Sequence, residues 1–176
     1  MEIRQLEEFA LGEQERQAIQ QLLGDCFPDY PADRIYYKQL PDFRLLAWEN
    51  DRLVGHLAVE HRMIDIGGMA ARIFGIADFC VAGDFQHRGL GTQLLNRLEQ
   101  LGKEHAVDFL LLLASRHEVY LHNGFQLVQN PCRWLIIHDH RSLGVSHRRL
   151  PETLLVKALG PKPWREGVVD LLGHIF

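Results

Sequence analysis

The sequence has no Cys-x-x-Cys pair, and its three cysteines, Cys26, Cys80 and Cys132, are odd in number. This argues against a disulfide framework and predicts buried or free thiols in a reducing cytosol. No long apolar run is present. The longest, Phe109 to Ala114, is far too short to span a bilayer. The opening residues, Met1-Glu2-Ile3-Arg4-Gln5, lack the apolar core of a signal peptide. Together these absences predict a cytoplasmic protein with no membrane partner. No basic cluster precedes Arg148-Arg149, and the net charge is −4. Nucleic acid is therefore a poor default partner. Low-complexity tracts and tandem repeats are also missing.

What is there is a chain of 176 residues, long enough for a real core and expected to form one domain over residues 1–176. Ile3 to Leu6 reads as a first strand. Glu13 to Leu23 has helix formers with Ala18, Ile19, Leu22 and Leu23 on one face, and Gly24 as a stop. Pro28 and Pro31 mark a loop, and a short helix is expected between Ala32 and Leu40. Phe43 to Trp48, Leu53 to Ile66 and Ala70 to Val81 read as an antiparallel meander, turning at Asn50-Asp51 and at Gly67-Gly68. Thr92 to His105 reads as a helix, and Leu90, Leu94, Leu95, Leu98 and Leu101 make one buried stripe. Asp108 to Ala114 suits a strand covered on both faces, parallel to the strand before the helix. Glu118 to Asn123 reads as a short helix stopped by Gly124. Arg133 to His138 and Thr153 to Leu159 read as closing strands, with Arg141 to Leu150 a polar connection between them.

The stretch Gln86-His87-Arg88-Gly89-Leu90-Gly91-Thr92 joins a strand to a helix. The first N–H groups of a helix have no partner within it, and the helix dipole favours negative charge there. Gly89 and Gly91 lack a Cβ and admit close approach of ligand oxygens. The turn therefore predicts a phosphate ligand. A P-loop needs a Gly-Lys-Ser/Thr ending, which is missing. A dinucleotide fingerprint needs a third glycine where Leu94 stands, although Asp108 offers the acidic residue expected further on. The antiparallel meander ahead of the turn also differs from a doubly wound sheet.

The segment Phe79 to Gly91 closely resembles the acetyl-coenzyme A signature of the GNAT superfamily of N-acetyltransferases. Gln86, Gly89 and Gly91 meet its Gln/Arg-x-x-Gly-x-Gly/Ala core. Tyr120-Leu121-His122-Asn123-Gly124-Phe125 resembles the same family's Tyr-x-x-x-Gly-Phe element, in the family's order. The likeness is firm from Arg44 to Phe125. It implies an α/β (α+β) GNAT fold, with a mixed, mostly antiparallel central sheet of about seven strands flanked by helices. It implies acetyl-coenzyme A as cosubstrate, with the pyrophosphate held by backbone N–H groups of Arg88, Gly89, Leu90, Gly91 and Thr92. Gln86 and His87 belong to the same loop. Cys80 and Val81 on the strand, and Ser115 beyond the apolar run, are implied to bind the cosubstrate too, with Val81 pairing the pantetheine arm.

The resemblance makes Tyr120 the acid that protonates the departing thiolate. A phenol of pKa ~10 can serve a thiolate whose conjugate acid lies near ~8.5. For the base that takes a proton from the ammonium nucleophile, Asp78, Glu60 and His117 all stand as candidates. His138-Asp139-His140 places two imidazoles on one strand face by two-residue spacing. No third ligand has a recognisable spacing, so no metal is expected. The apolar tail Trp164 to Phe176 predicts packing on the core or on a second copy in a homodimer. The acceptor is expected to be a small-molecule or peptide amine. A non-catalytic acyl-coenzyme A sensor on the same fold is the alternative.

Overall fold

The computed structural model describes residues 1–176. Its strands are β1 (Glu2–Glu7), β2 (Phe43–Glu49), β3 (Arg52–Ile66), β4 (Met69–Val81), β5 (Phe109–Leu113), β6 (Gln126–Leu127), β7 (Pro131–His138), β8 (Arg141–Arg149), β9 (Leu154–Ala158) and β10 (Val169–His174). Three α-helices join them: α1 (Glu13–Cys26), α2 (Leu90–Glu104) and α3 (Glu118–His122). No helix is long and apolar enough to cross a membrane. The residues fall into two compact units, one of Met1–Val59 with Ala77–Leu98, the other of Glu60–Ile76 with Glu99–Phe176.

In the first unit, β1, β2 and the opening part of β3 form an antiparallel sheet. Asn50 and Asp51, both at positive φ, make the tight β2–β3 turn. The turn's geometry matches the twist of the strands it joins, which is why Asn and Asp serve there. Leu45, Leu46, Val54 and Leu57 are fully buried, as are Ile19 and Leu23 of α1. Each such side chain contributes about 1.5–3 kcal/mol by leaving water. A Cβ built on Gly55 would lie 3.0 Å from Leu94 and 3.2 Å from the Ala47 Cβ. Glycine at that point lets α2 lie close to β3.

The second unit orders its strands β6–β9–β5–β4–β3–β10–β7–β8. Pairs β4–β5 and β10–β7 are parallel, while β5–β9, β6–β9, β3–β10 and β7–β8 are antiparallel. The sheet is therefore mixed and mostly antiparallel, as expected. Its core gathers Ile64, Ile66, Ile73, Phe109, Leu111, Trp134, Val156 and Val169. Trp164 packs edge-on to Phe109 at 5.2 Å.

Several expectations need correction. The strands number ten, not about seven. Residues 141–149, read as a polar connection, form β8, whose residues are mostly exposed. A strand with both faces wet shows no apolar alternation, so its sequence pattern is silent. The tail packs on the core, as expected, and in doing so contributes β10 to the sheet. Residues 32–40 form turns and bends, not a helix. Conversely, α1 runs through Gly24 to Cys26, where no atom crowds the missing Cβ. His138 ends β7, while Asp139 and His140 form the hairpin turn at positive φ. The two imidazoles therefore do not share a strand face.

Candidate functional site

The turn from β4 into α2 is built by its own side chains. A single 3₁₀ turn, Gly83–Phe85, is followed by extended Gln86. The Gln86 amide reaches back to donate to the Val81 carbonyl at 3.1 Å, which ties the loop to the strand end. His87 and Gly89 take positive φ, 59° and 80°. At Gly89 a Cβ would meet open space, so glycine answers to backbone conformation and not to crowding by the protein. The helical ladder then opens with the Gln93 N–H donating to the Gly89 carbonyl at 3.0 Å. Residues 86–89 are exposed, and Leu90 is buried as the helix's first anchor. The result is a helix N-terminus reached through an exposed, glycine-bearing turn, the arrangement that receives phosphate oxygens.

Cationic groups surround this turn. The Arg88 guanidinium lies 5.3 Å and the Arg52 guanidinium 5.7 Å from the centre of the Phe85 ring. Arg52 also donates to both carboxylate oxygens of Asp84, at 2.7 and 3.0 Å. That pair is solvent-exposed and screened, so its role is to orient Arg52 more than to stabilise the fold.

Asp78 lies three residues before Val81. It holds φ at 50°, a left-handed conformation within a strand. His56 supports that kink: its Nδ1–H donates to the Asp78 carbonyl at 2.7 Å. This tautomer follows from the opposite ring nitrogen, which must accept from Arg44 Nη1 at 2.8 Å. Arg44 is fully buried and also donates to Glu8 at 2.6 Å and to the Ile35 carbonyl at 2.8 Å. The Asp78 carboxylate accepts from the Tyr30 hydroxyl at 2.6 Å. Burial raises the Asp78 carboxyl above its ordinary pKa, against the opposing pull of Tyr30, Arg44 and Lys38. Burial and the Asp78 charge likewise hold the Tyr30 phenol well above its usual value. Phe27, Tyr30 and Tyr37 form an aromatic row beside this carboxylate, with ring centres 6.1 and 5.9 Å apart.

Glu60 has a different setting. Its carboxylate accepts from Arg62 and from the His174 Nε2 at 2.9 Å. Arg62 in turn donates to the His174 carbonyl at 2.6 Å and lies 4.6 Å above the Phe176 ring. His117 is engaged as well: its Nε2 lies 2.6 Å from the Glu152 carbonyl and 3.1 Å from that of Ala114. Of the two candidate carboxylates, Asp78 accepts from the Tyr30 hydroxyl, whereas Glu60 accepts from Arg62 and His174. Ser115 lies in an exposed bend after β5.

Tyr120 is held by the motif around it. Gly124 takes φ 81°, the left-handed residue that ends α3. The chain then turns back, and the Phe125 N–H donates to the Tyr120 carbonyl at 3.0 Å. The Phe125 ring packs edge-on against the Tyr120 ring at 5.7 Å. Tyr120 is 9 % exposed. The spacing Tyr-x-x-x-Gly-Phe is thus a helix-cap geometry that fixes one tyrosine.

The sequence reading missed the buried network of Glu8, Arg44 and His56. One signal for it existed: Arg44 interrupts an apolar strand run. The contact of the Cys26 thiol with the Val81 carbonyl, at 3.7 Å, had no signal, because its partners are 55 positions apart in the chain.

Residues 12–125 match the family model described as the acetyltransferase (GNAT) family. No curated protein matches the chain significantly. Among solved structures, the chain is similar to Eis1 from Mycobacterium abscessus, with 16 % identity and a TM-score of 0.64. That match covers 76 % of this chain and 33 % of the other, so the chain spans about a third of that protein's length. It is also similar to the Escherichia coli GNAT family N-acetyltransferase YhbS, solved in complex with coenzyme A. Identity there is 18 %, the TM-score is 0.65, and coverage is 96 % and 88 %. A third is a Brucella melitensis GNAT family acetyltransferase in complex with acetyl-coenzyme A. It shows 17 % identity, a TM-score of 0.60, and coverage of 96 % and 94 %. At these identities the likeness carries the fold.

Proposed function

The chain belongs to the acetyltransferase (GNAT) family, and on that premise we propose that it transfers an acetyl group from acetyl-coenzyme A to a primary amine. Residues 1–176 act as one N-acyltransferase domain in this reading, since both units draw on β3 and β4. The observation that carries it is the Gln86–Thr92 turn. Its exposed residues, its left-handed His87 and Gly89, and the N-terminus of α2 suit a pyrophosphate. Arg88 and Arg52 add positive charge at the same place. Cys80 and Val81 line the strand against which the pantetheine arm runs, and Ser115 lies beyond β5.

The amine attacks the thioester carbonyl directly. Asp78 takes the ammonium proton, a role suited by a carboxyl whose affinity for protons burial has raised. Glu60, already holding Arg62 and His174, is the weaker choice. A backbone N–H near Val81 stabilises the tetrahedral oxyanion. The bond from carbon to sulfur then breaks, Tyr120 gives its proton to the thiolate, and the remaining extra proton on the attacking nitrogen restores the Tyr120 phenol through solvent. The acceptor is a small-molecule or peptide amine.

Tyr120→Phe keeps the ring that packs on Phe125 and removes the proton. Turnover is expected to fall about 10²–10⁴-fold, with acetyl-coenzyme A affinity unchanged by calorimetry. Unchanged turnover would remove Tyr120 from the mechanism. Competitive calorimetry with acetyl-coenzyme A, ATP and NAD tests the donor: tight ATP or NAD binding without coenzyme A binding would overturn the assignment. A turnover screen over an amine library identifies the acceptor.

A further inference from the structure

The sheet of the second unit ends at β8, whose one strand partner is β7. Its outer edge therefore presents a row of unpaired N–H and C=O groups, a template for one more strand. Natural edges of this kind are commonly kept short, broken by proline or guarded by charge. β8 is nine residues long and contains no proline. Its register shifts once, toward the hairpin end, and Val145 to Arg149 pair with β7 without interruption. Leu143 and Val145 are 62 % and 65 % exposed.

The charge along this edge has one sign. Arg141, Arg148 and Arg149 stand on β8 beside His147, and the strand carries no acidic residue. The whole chain is at −4, so the edge reverses the overall sign. None of the three arginines is paired with a carboxylate. Arg148 lies 5.5 Å from the centre of the Trp134 ring, and Arg149 donates to the Gln129 carbonyl. Both are oriented without being neutralised. Such a guard treats two visitors differently. A second copy of β8 brings the same charge: in antiparallel pairing centred on Val145, Arg141 falls opposite Arg149, and in parallel register each arginine faces its own copy. Like charges directly opposite destabilise a strand pair. An acidic strand is stabilised by the same three groups.

We propose that the outer edge of β8 is a docking site for an extended, acidic segment of another protein, which adds to the sheet as one more antiparallel strand. Main-chain hydrogen bonds supply the affinity, and the side chains select the sequence. The selection sets carboxylates against Arg141, Arg148 and Arg149, where charge-assisted hydrogen bonds form. It sets apolar residues against the exposed Leu143 and Val145. A flexible polyanion such as a nucleic acid meets the charge but leaves the ladder unmade, so the edge favours a peptide. All these residues belong to the second unit and none to the Gln86–Thr92 turn. The site therefore stands whether or not the acyl-transfer reading does.

The probe is a dye-labelled peptide, Glu-Glu-Thr-Thr-Val-Thr-Val-Thr-Glu. Its antiparallel register puts glutamates opposite Arg149, Arg148 and Arg141 and valines opposite Val145 and Leu143. Fluorescence anisotropy with the full chain should show saturable binding. A peptide with its two central threonines replaced by proline keeps the charge and loses ladder donors, and should bind at least about tenfold more weakly. Arg141→Glu should weaken the first peptide at least about threefold. Hydrogen exchange read by mass spectrometry should show amides of residues 141–149 slowed by the peptide. Absence of binding, equal binding of the proline peptide or of polyglutamate, or protection confined to other segments would each overturn the proposal. So would sedimentation showing that β8 is already covered by a second copy, with Arg141→Glu dissolving that dimer. The exchange experiment on the unaltered chain decides the matter even if a variant fails to fold.

Discussion

His56 gives the fold an acid sensitivity that can be worked out in advance. Its ring is fully buried. One nitrogen accepts from Arg44 and the other donates to the Asp78 carbonyl, so a second proton has no lone pair to occupy without evicting Arg44. Burial first, and then the Arg44 charge, push its pKa down to about 3 from the ordinary 6.5. Between those values the unfolded chain carries a proton that the folded chain refuses. Stability is therefore full above about pH 7 and is lost as pH falls through this window. At pH 5 the loss is about 2 kcal/mol, from 1.36 kcal/mol per unit over the 1.5 units below the unfolded pKa. The depth of the folded value hardly enters, since pH 5 lies well above it. His56→Gln keeps an acceptor for Arg44 and a donor for Asp78 but cannot titrate. Urea unfolding of both proteins at pH 8 and pH 5 measures the difference. The raised Asp78 carboxyl has the opposite dependence, gaining stability as pH falls, and it cancels because both proteins carry it. The unaltered chain should lose about 2 kcal/mol more than the variant, or about 4–8 °C in Tm. Equal losses would mean that His56 takes a proton in the folded state, and the buried network would have to be redrawn.

The other stability predictions use the same reasoning. Glu8→Ala removes the one carboxylate that the fully buried Arg44 contacts. A stranded charge of that kind costs about 3–5 kcal/mol; a loss below about 1 kcal/mol in denaturant unfolding would show that His56 and the Ile35 carbonyl suffice. Gly75→Ala places a Cβ 2.0 Å from the Phe176 ring. It should destabilise by about 1–3 kcal/mol, and Phe176→Ala should erase that penalty in a double-mutant cycle. Simple additivity of the two changes would mean that the ring is not what Gly75 accommodates.

The parts legible in the sequence are those whose physics is local. The β2–β3 and β3–β4 turns follow from Asn50-Asp51 and Gly67-Gly68. The α2 stripe follows from leucines at helical spacing, and β5 from an unbroken apolar run. The Gln86–Gly91 and Tyr120–Phe125 motifs were readable because each is a short-range device. One side chain ties back five residues, and one glycine ends a helix. The missed features depend on partners distant in the chain. β8 exists because β7 offers it an edge, and nothing in its own exposed residues announces a strand. Glu60 looks like an available carboxylate until β10 brings His174 to it, 114 positions on. The kink at Asp78 is equally silent, because its support comes from His56 on another strand.

The way the two compact units share their strands has a bearing on how the chain is made and cut. β3 leaves the first unit after Val59, and β4 returns to it at Ala77. Each unit is therefore assembled from two separated stretches, and each needs the other's residues as its connector. No single cleavage point releases either unit free of the other's residues. During synthesis the first unit has all its residues once Leu98 has been added, whereas the second waits for the last strand, β10. A nascent chain halted between those points holds the second unit's part of β3 without β10, the strand that pairs with it there. The hazard in making this protein thus lies in the interval between Leu98 and Val169. A fragment screen should find its most protease-sensitive products among chains that end there.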